Sequence, residues 1–304
     1  MYFLRRLFFA VPLVLVISAV AFFLVHIAPG GPFDRERAPA SPQIERNLLA
    51  KYHLDEPIWK QYLRYIYGLA HGDFGPSLKY RDQSVSDIIA QGLPVSMTLG
   101  ALAFCFAMGT GLPIGFFAAA RRGRWEDYLG NSFAILIVCV PALVVGPILI
   151  LLFAIKWRLF PVGLWTSPMN AVLPMIALGL FFSGKIARLF REGMLSAMQS
   201  EFVTAARAKG FGENTLLAKH ALRIAILPVV SYAGPMLADL LTGSFIVENI
   251  FQIPGMGDFL VNGCLNRDYT MVVGLALFYA FLLIGLNLLV DFTYTLLDPR
   301  VKYE

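Results

Sequence analysis

The sequence predicts an all-α membrane protein with six transmembrane helices and both termini in the cytoplasm. Its 304 residues are 58% hydrophobic and 15% charged, against about 45–50% and about 25% in soluble globular domains. The apolar excess is gathered into runs long enough to cross a bilayer, and the basic residues are divided unevenly between the loops. Together these three observations exclude a soluble globular protein.

The first apolar run, residues 7–27, contains no charged side chain. As a helix it measures about 31 Å, which matches a hydrocarbon core of about 30 Å. It exceeds the roughly 7–15 residues of a signal-peptide core, so we expect it to be retained as a transmembrane helix. The five further runs are residues 93–120, 128–155, 171–189, 224–246 and 270–297.

The distribution of charge sets the orientation of these spans. With the amino terminus inside, the inside segments hold 14 of the 25 basic residues and seven of the 20 acidic residues. The outside segments hold equal numbers of each. The positive-inside rule then places both termini in the cytoplasm. The net charge of +5 reflects this topology, and a nucleic-acid partner is not expected.

The segment between the first two spans, residues 28–92, is predicted to be extracytoplasmic and to contain short amphipathic helices. The run PGGP at 29–32 ends the first span. Apolar residues then recur at helical spacing over 44–54 and 58–69. The second of these helices is rich in Trp and Tyr, which favour the water–lipid boundary. A packed extracytoplasmic lobe explains the same pattern equally well.

Proline and glycine recur within the spans and bear on how the helices pack. A membrane helix tolerates proline only where protein or water satisfies the freed carbonyl groups. Several spans are therefore expected to face protein or a water-filled path. Gly111 and Gly115 have the spacing that lets a second helix approach closely.

The chain carries no recognisable catalytic signature. The run from Gly179 matches a phosphate-binding loop as far as Lys185, but Ile186 stands where Ser or Thr must reach magnesium. The four histidines lack paired metal-ligand spacing, and no nucleophile motif occurs. Three cysteines, two of them in spans, imply no disulfide framework.

The longest polar inside segment, residues 191–223, is predicted to form a helix–turn–helix at the membrane surface. Phe202, Ala205 and Ala206 are predicted to line one face of a short helix. Gly210 and Gly212 then break the helix. Apolar residues resume at Leu216, Leu217, Ala221 and Ile224. Spacing alone leaves two interpretations open, a surface that docks another protein and a solvated connector.

Several motifs resemble those of one transporter family. Residues 204–210, TAARAKG, resemble the Glu-Ala-Ala, three residues, Gly motif of importer-type ABC permeases. The whole chain is similar to the B-type permeases of oligopeptide and dipeptide importers. Further matching runs are LRR at 4–6, PGGP at 29–32, KYHL at 51–54, GDFGPS at 72–77, PGMG at 254–257 and NRDY at 266–269. Two departures are Thr204 in place of Glu, and Arg223 near where relatives have Pro.

The resemblance implies a single permease domain over residues 1–304, with the importer-type ABC fold, in the bacterial cytoplasmic membrane. It implies that residues 191–223 couple the permease to one or two separate ATP-binding subunits, which bind ATP and Mg, while this chain holds no cofactor. Further implied partners are a second homologous permease, an extracytoplasmic peptide-binding protein and the lipid bilayer. The implied coupling residues are Phe202, Thr204, Ala205, Ala206, Gly210, Leu216 and Leu217.

Two acidic residues lie within the predicted spans. Asp239 is near the middle of its span, and it either lines the translocation path or pairs with a helix of the partner permease. Asp291 lies close to the cytoplasmic end of the last span, where a structural role is favoured. An ion-driven secondary carrier would use both acids as a relay. Such carriers are often built from inverted repeats, and no clear internal repeat is found.

Overall fold

The computed structural model describes residues 2–27, 42–80, 82–242 and 244–297. This part of the chain is almost entirely helical and contains no strand, only an isolated bridge between Pro76 and Ser84. The predicted all-α class is therefore confirmed. The run PGGP at 29–32 and the side chain of Asp291 lie outside the described residues.

The helices follow in this order: α1 (Tyr2–Ile27), α2 (Pro42–Lys51), α3 (Ile58–Ala70), α4 (Val85–Ala120), α5 (Trp125–Cys139), α6 (Ala142–Leu149), α7 (Val172–Met198), α8 (Glu201–Ala208), α9 (Glu213–Thr215), α10 (Leu222–Thr242), α11 (Phe245–Ile250), α12 (Met256–Asn266) and α13 (Tyr269–Leu297). A π-helical stretch, Ile150–Lys156, extends α6, and another, Leu216–Ala221, joins α9 to α10. A 3-10 turn, Pro168–Ala171, precedes α7.

Five helical segments of the described chain are long and apolar enough to cross a membrane, and a bent pair, α5 with α6, brings the number to as many as six. The predicted span over 128–155 is not straight, because the chain bends by 102° between α5 and α6. Pro141 disfavours a helical conformation at the residue before it. Val140 is accordingly extended, with φ −95° and ψ 117°.

The chain divides into two compact units. The first contains Met1–Val95 and Pro254–Leu288. Its core consists of two clusters, which pack the start of α4 against α12 and α13, and α1 against α13. The buried members are Val85, Ile88, Ile89, Met256, Met271 and Leu275 in one, and Val14, Phe22, Val273 and Leu277 in the other.

Asp268 ties together two motifs of the first unit that are far apart in sequence. It caps α13 by accepting from the backbone N–H of Met271 at 3.1 Å. Its other carboxylate oxygen accepts from the Ser77 hydroxyl at 2.5 Å and from the backbone N–H of Leu78 at 3.1 Å. Asp268 is 1% exposed, and both of its carboxylate oxygens accept hydrogen bonds. The runs at 72–77 and 266–269 therefore form one junction.

The second unit contains Ser96–Ile253, and glycines set how closely its helices approach. A Cβ added at Gly115 of α4 would lie 2.5 Å from the carbonyl oxygen of Ala187 in α7, and one at Gly111 would lie 2.7 Å from that of Ser183. A Cβ at Gly179 of α7 would lie 2.7 Å from a carbonyl oxygen of α4. The close helix approach predicted at Gly111 and Gly115 is confirmed.

Candidate functional site

The polar segment after α7 forms a tight helical hairpin, here defined as residues 200–220. The predicted segment 191–223 begins inside α7, because that helix continues to Met198. Ser200 caps the start of α8 and accepts from the backbone N–H of Val203. A hydroxyl at this position satisfies one of the free N–H groups at a helix start.

The end of α8 is set by Gly210. Its φ of +85° is left-handed, a conformation open to glycine and strained for most other residues. The backbone N–H of Gly210 donates to Arg207 O at 3.0 Å, and that of Phe211 donates to Ala206 O at 3.4 Å. This pair of hydrogen bonds is the Schellman motif, which closes a helix and turns the chain back. Gly212 then caps the next helix in an extended conformation.

A small core holds the hairpin together. Val203, Ala206 and Leu216 are buried against one another and against Met198. Val203 and Ala206 are three residues apart, so they share one face of α8. An ion pair between Arg207 and Glu213, 2.9 Å long, bridges the two arms on the outside. The hairpin therefore has a defined shape of its own.

The predicted coupling residues fall into two groups. Ala206 and Leu216 are buried in the hairpin core, and Leu217 is half-buried. Phe202, Thr204, Ala205 and Gly210 are exposed. Ala206 differs from Phe202 and Ala205 in burial, because it packs with Val203 into the hairpin core while the other two side chains stay exposed.

An exposed aromatic surface covers the hairpin, and the sequence analysis missed half of it. The ring of His220 lies 5.5 Å from that of Phe202 and 5.3 Å from that of Phe211. Phe202 and Phe211 remain 58% and 47% exposed. Phe202 belongs to α8 and Phe211 to the turn after it, and the ring of His220 lies beside both. We call Phe202, Ala205, Phe211 and His220 the hairpin surface.

A buried ion pair lies before the hairpin. In α7, Arg191 donates to both carboxylate oxygens of Asp127 at the start of α5, at 2.6 and 3.0 Å. The backbone N–H of Gly123 donates to the same carboxylate at 3.0 Å. Asp127 is 5% exposed. This contact fixes the connection between α4 and α5 against the helix that leads into the hairpin, and no motif in the sequence indicates it.

Asp239 lies in the last turn of α10, which ends at Thr242. The segment that is long and apolar enough to span a membrane runs from Glu213 to Ile250, so Asp239 lies in its second half, and its position near the middle of the bilayer stays a prediction. Its side chain is exposed, and it makes no hydrogen bond or ion pair with another residue of the described ranges. The run from Gly179 to Ile186 lies within α7, so it forms no phosphate-binding loop.

The first unit contains a cavity of about 460 Å³, within the range of small-molecule pockets. Aromatic rings of Phe22, Tyr65 and Tyr269 line it, together with the charged Arg64 and Asp73. The Tyr65 hydroxyl is buried and has no hydrogen-bond partner in the part of the chain that the structure describes. The wall is built from separate stretches of sequence, so no local motif predicted it.

Two side chains of the first unit that lie outside the spans have a raised pKa. Burial raises the pKa of the Cys264 thiol in α12. Burial also raises the pKa of Tyr80, and the negative charges of Asp258 and Asp268 add to that effect. Both shifts favour the neutral form of the group.

Comparison with known proteins gives matches over nearly the whole chain. Residues 111–303 match the family described as "Binding-protein-dependent transport system inner membrane component". The oligopeptide transport system permease protein OppB of Haemophilus influenzae is 43% identical over 301 residues, 98% of each chain. OppB of Escherichia coli K12 is 41% identical over 302 residues, 99% of this chain and 98% of the relative. The dipeptide permease DppB of Bacillus subtilis is 40% identical over 301 residues, 99% and 97%.

Two solved structures share the fold. A chain of the MetNI methionine ABC transporter, in an inward-facing conformation, aligns with a TM-score of 0.53 at 15% identity, covering 68% of this chain and 96% of that one. A chain of an amino acid ABC transporter aligns with a TM-score of 0.54 at 19% identity, covering 68% and 93%. The expected importer-type permease fold is confirmed by these matches.

Proposed function

This chain belongs to the family of binding-protein-dependent transport system inner membrane components, and we propose that its helical hairpin, residues 200–220, receives the force of separate ATPase subunits. The chain is a permease subunit of an ABC importer for peptides, located in the bacterial inner membrane as a multi-pass protein. The family assignment therefore favours an ABC importer over the alternative, an ion-driven secondary carrier.

The observation that supports the coupling proposal is the exposed hairpin surface on a rigid base. Phe202 and Phe211 project apolar rings from a hairpin whose own core is already complete without them. Exposed aromatic side chains on a pre-shaped element are typical anchors for a protein partner. We propose that Phe202, Ala205 and Gly210 meet the ATPase subunit, that Thr204 lies at the edge of that contact, and that Ala206, Leu216 and Leu217 hold its shape.

The proposed topology follows from the distribution of charge. Both termini and the hairpin lie in the cytoplasm, and residues 28–92 lie outside. The working assembly contains a second, homologous permease, one or two ATP-binding subunits and an extracytoplasmic peptide-binding protein. ATP and Mg bind to the ATPase subunits, and this chain contributes no nucleotide site. Because packed helices switch between discrete arrangements, a pull on the hairpin moves the bundle between inward-open and outward-open states.

We further propose that Asp239 faces the translocation path. Its exposed carboxylate, without a partner among the described residues, is suited to meet a peptide amine. Asp239→Asn should then lower the uptake of peptides with an extra positive charge more than that of neutral peptides. A pairing with a helix of the second permease would instead weaken assembly and affect all peptides alike.

Site-directed photo-crosslinking tests the hairpin proposal. A photoreactive phenylalanine analogue placed at Phe202 or Phe211 of the complete transporter should crosslink to an ATPase subunit. The matched control is the same analogue at Trp125, a 68% exposed aromatic residue at the start of α5. Crosslinks from Trp125 alone, or equal yields from all three positions, would contradict the proposal.

A further inference from the structure

The helix α3 presents an apolar stripe that the fold leaves uncovered. Trp59, Leu63 and Tyr67 follow one another at intervals of four residues and are 62%, 58% and 71% exposed. Lys60 and Arg64 form a parallel basic row beside them. The helix contains no acidic residue. This arrangement of a bulky aromatic and aliphatic row next to a basic row is typical of helices that lie in a membrane surface.

Contacts with α1 fix the depth of α3 relative to the end of that span. The hydroxyls of Ser18 and Tyr62 lie 2.9 Å apart, within hydrogen-bond distance, and Tyr62 also donates to the backbone oxygen of Leu15. The Tyr62 ring lies 5.4 Å from that of Phe22 and 5.7 Å from that of Phe23. Tyr62 therefore reaches down α1 towards its middle.

The helical rise converts these contacts into a depth. Phe22 and Phe23 precede the end of α1 at Ile27 by four or five residues, or about 6–8 Å. Ser18 lies about 13 Å from that end. The segment of α1 from Phe8 to Ile27 is apolar and long enough to cross the membrane. Because α3 packs against the last turns of this segment, it lies at the depth of those turns. Helices that lie in a membrane surface bury their apolar face by about 5–10 Å.

From this geometry we propose that α3 lies in the outer leaflet of the bilayer, with Trp59, Leu63 and Tyr67 at the boundary between headgroups and acyl chains. Trp and Tyr favour this boundary because their rings are apolar and their edges are polar. Glu56 accepts from Arg64 at 2.9 Å and lies 3.8 Å from Lys60, so one carboxylate serves two cations. The surplus positive charge faces the lipid phosphates.

The proposal commits the stripe to lipid and excludes a protein partner on this face. It depends on α1 crossing the membrane and, for the choice of leaflet, on the proposed topology. It does not depend on peptide transport. A failed uptake experiment would leave it standing, and a negative result here would leave the transport function standing.

Spin labels at single cysteines test the proposal in the complete transporter. Cys105, Cys139 and Cys264 are first replaced, and the chain is assembled with cysteine-free partner subunits in vesicles of phosphatidylethanolamine and phosphatidylglycerol. Labels are placed through Trp59→Cys, Leu63→Cys and Tyr67→Cys on the stripe. Lys60→Cys and Arg64→Cys, on the basic row, are the matched controls.

Collision with oxygen, which concentrates in lipid, is compared with collision with a water-soluble nickel complex. The ratio of oxygen to nickel collisions should be several-fold higher at 59, 63 and 67 than at 60 and 64. Equal ratios on both rows would show that the stripe lies no deeper in lipid than the basic row and would overturn the proposal. Stripe labels that collide with neither reagent would show a covering protein and would overturn it as well. Three positions report on one face, so the loss of a single variant does not decide the test.

Discussion

Replacing Gly210 by valine should disconnect ATP hydrolysis from peptide uptake. Gly210 holds the left-handed turn that closes α8, with φ +85° and nothing within 4 Å of an added Cβ. The cost of the substitution is therefore conformational and involves no steric contact with the rest of the chain. A left-handed backbone costs a non-glycine residue roughly 1–2 kcal/mol, and a β-branched residue adopts it least readily.

The magnitude follows from the two states of the hairpin. A cost of about 1–2 kcal/mol lowers the ratio of correctly closed to open hairpins by about 5- to 30-fold. The rings of Phe202 and Phe211 meet His220 only when the turn is closed, so the fraction of molecules that present the hairpin surface falls by up to this factor. ATP hydrolysis should persist, while the peptide moved per ATP should fall by up to the same factor.

The assay measures both rates in proteoliposomes that contain the complete transporter and the binding protein. Gly212→Val is the matched control, because Gly212 is two residues away, equally open, and already extended at φ −69°. Gly210→Asn should recover much of the coupling, since asparagine tolerates the left-handed region. Normal coupling in Gly210→Val, or equal losses in both valine variants, would refute the reasoning.

Three further predictions concern packing, charge and orientation. Gly115→Ala places a Cβ 2.5 Å from a backbone oxygen and should lower the free energy of unfolding by about 1–3 kcal/mol. The midpoint of thermal unfolding in detergent should fall accordingly. In the control Gly109→Ala the added Cβ meets open space, so the midpoint should not change. Asp127→Ala removes charged hydrogen bonds each worth roughly 1.5–3 kcal/mol, and a double-mutant cycle with Arg191→Ala should show a coupling energy of that order; additive effects would contradict the pair. A membrane-impermeant maleimide should label Cys264 in intact spheroplasts, and labelling restricted to inside-out vesicles would reverse the proposed topology. Desolvation by neighbouring groups raises the pKa of that thiol although its side chain is exposed, so the labelling rate should still be rising at a pH where a cysteine of ordinary pKa has levelled off.

The helical class and the hairpin turn could be predicted from sequence because both depend on local signals. Apolar runs of bilayer length specify spans. Glycine at position 210 favours the left-handed conformation that ends a helix, whatever the rest of the chain does. The burial of Ala206 could not be predicted, because alanine fits a buried and an exposed position equally well and the core it joins is completed by Leu216 from the other arm.

The remaining features depend on residues that meet across long stretches of chain. Asp127 and Arg191 are 64 residues apart, and neither stands in a pattern that names its partner. Phe211 and His220 join the hairpin surface only after the turn has formed. The break at Pro141 was visible in the sequence, but proline is tolerated inside α10 at two positions, so its presence alone did not predict a bend.

The junction at Asp268 has a consequence for the order in which the protein is made. Ser77 leaves the ribosome 191 residues before its partner, and at about 5–20 residues per second this interval lasts roughly 10–40 s. For that time Val85, Ile88 and Ile89 lack the α12 and α13 side chains that cover them. The first unit therefore completes its core only when the last span has been synthesised.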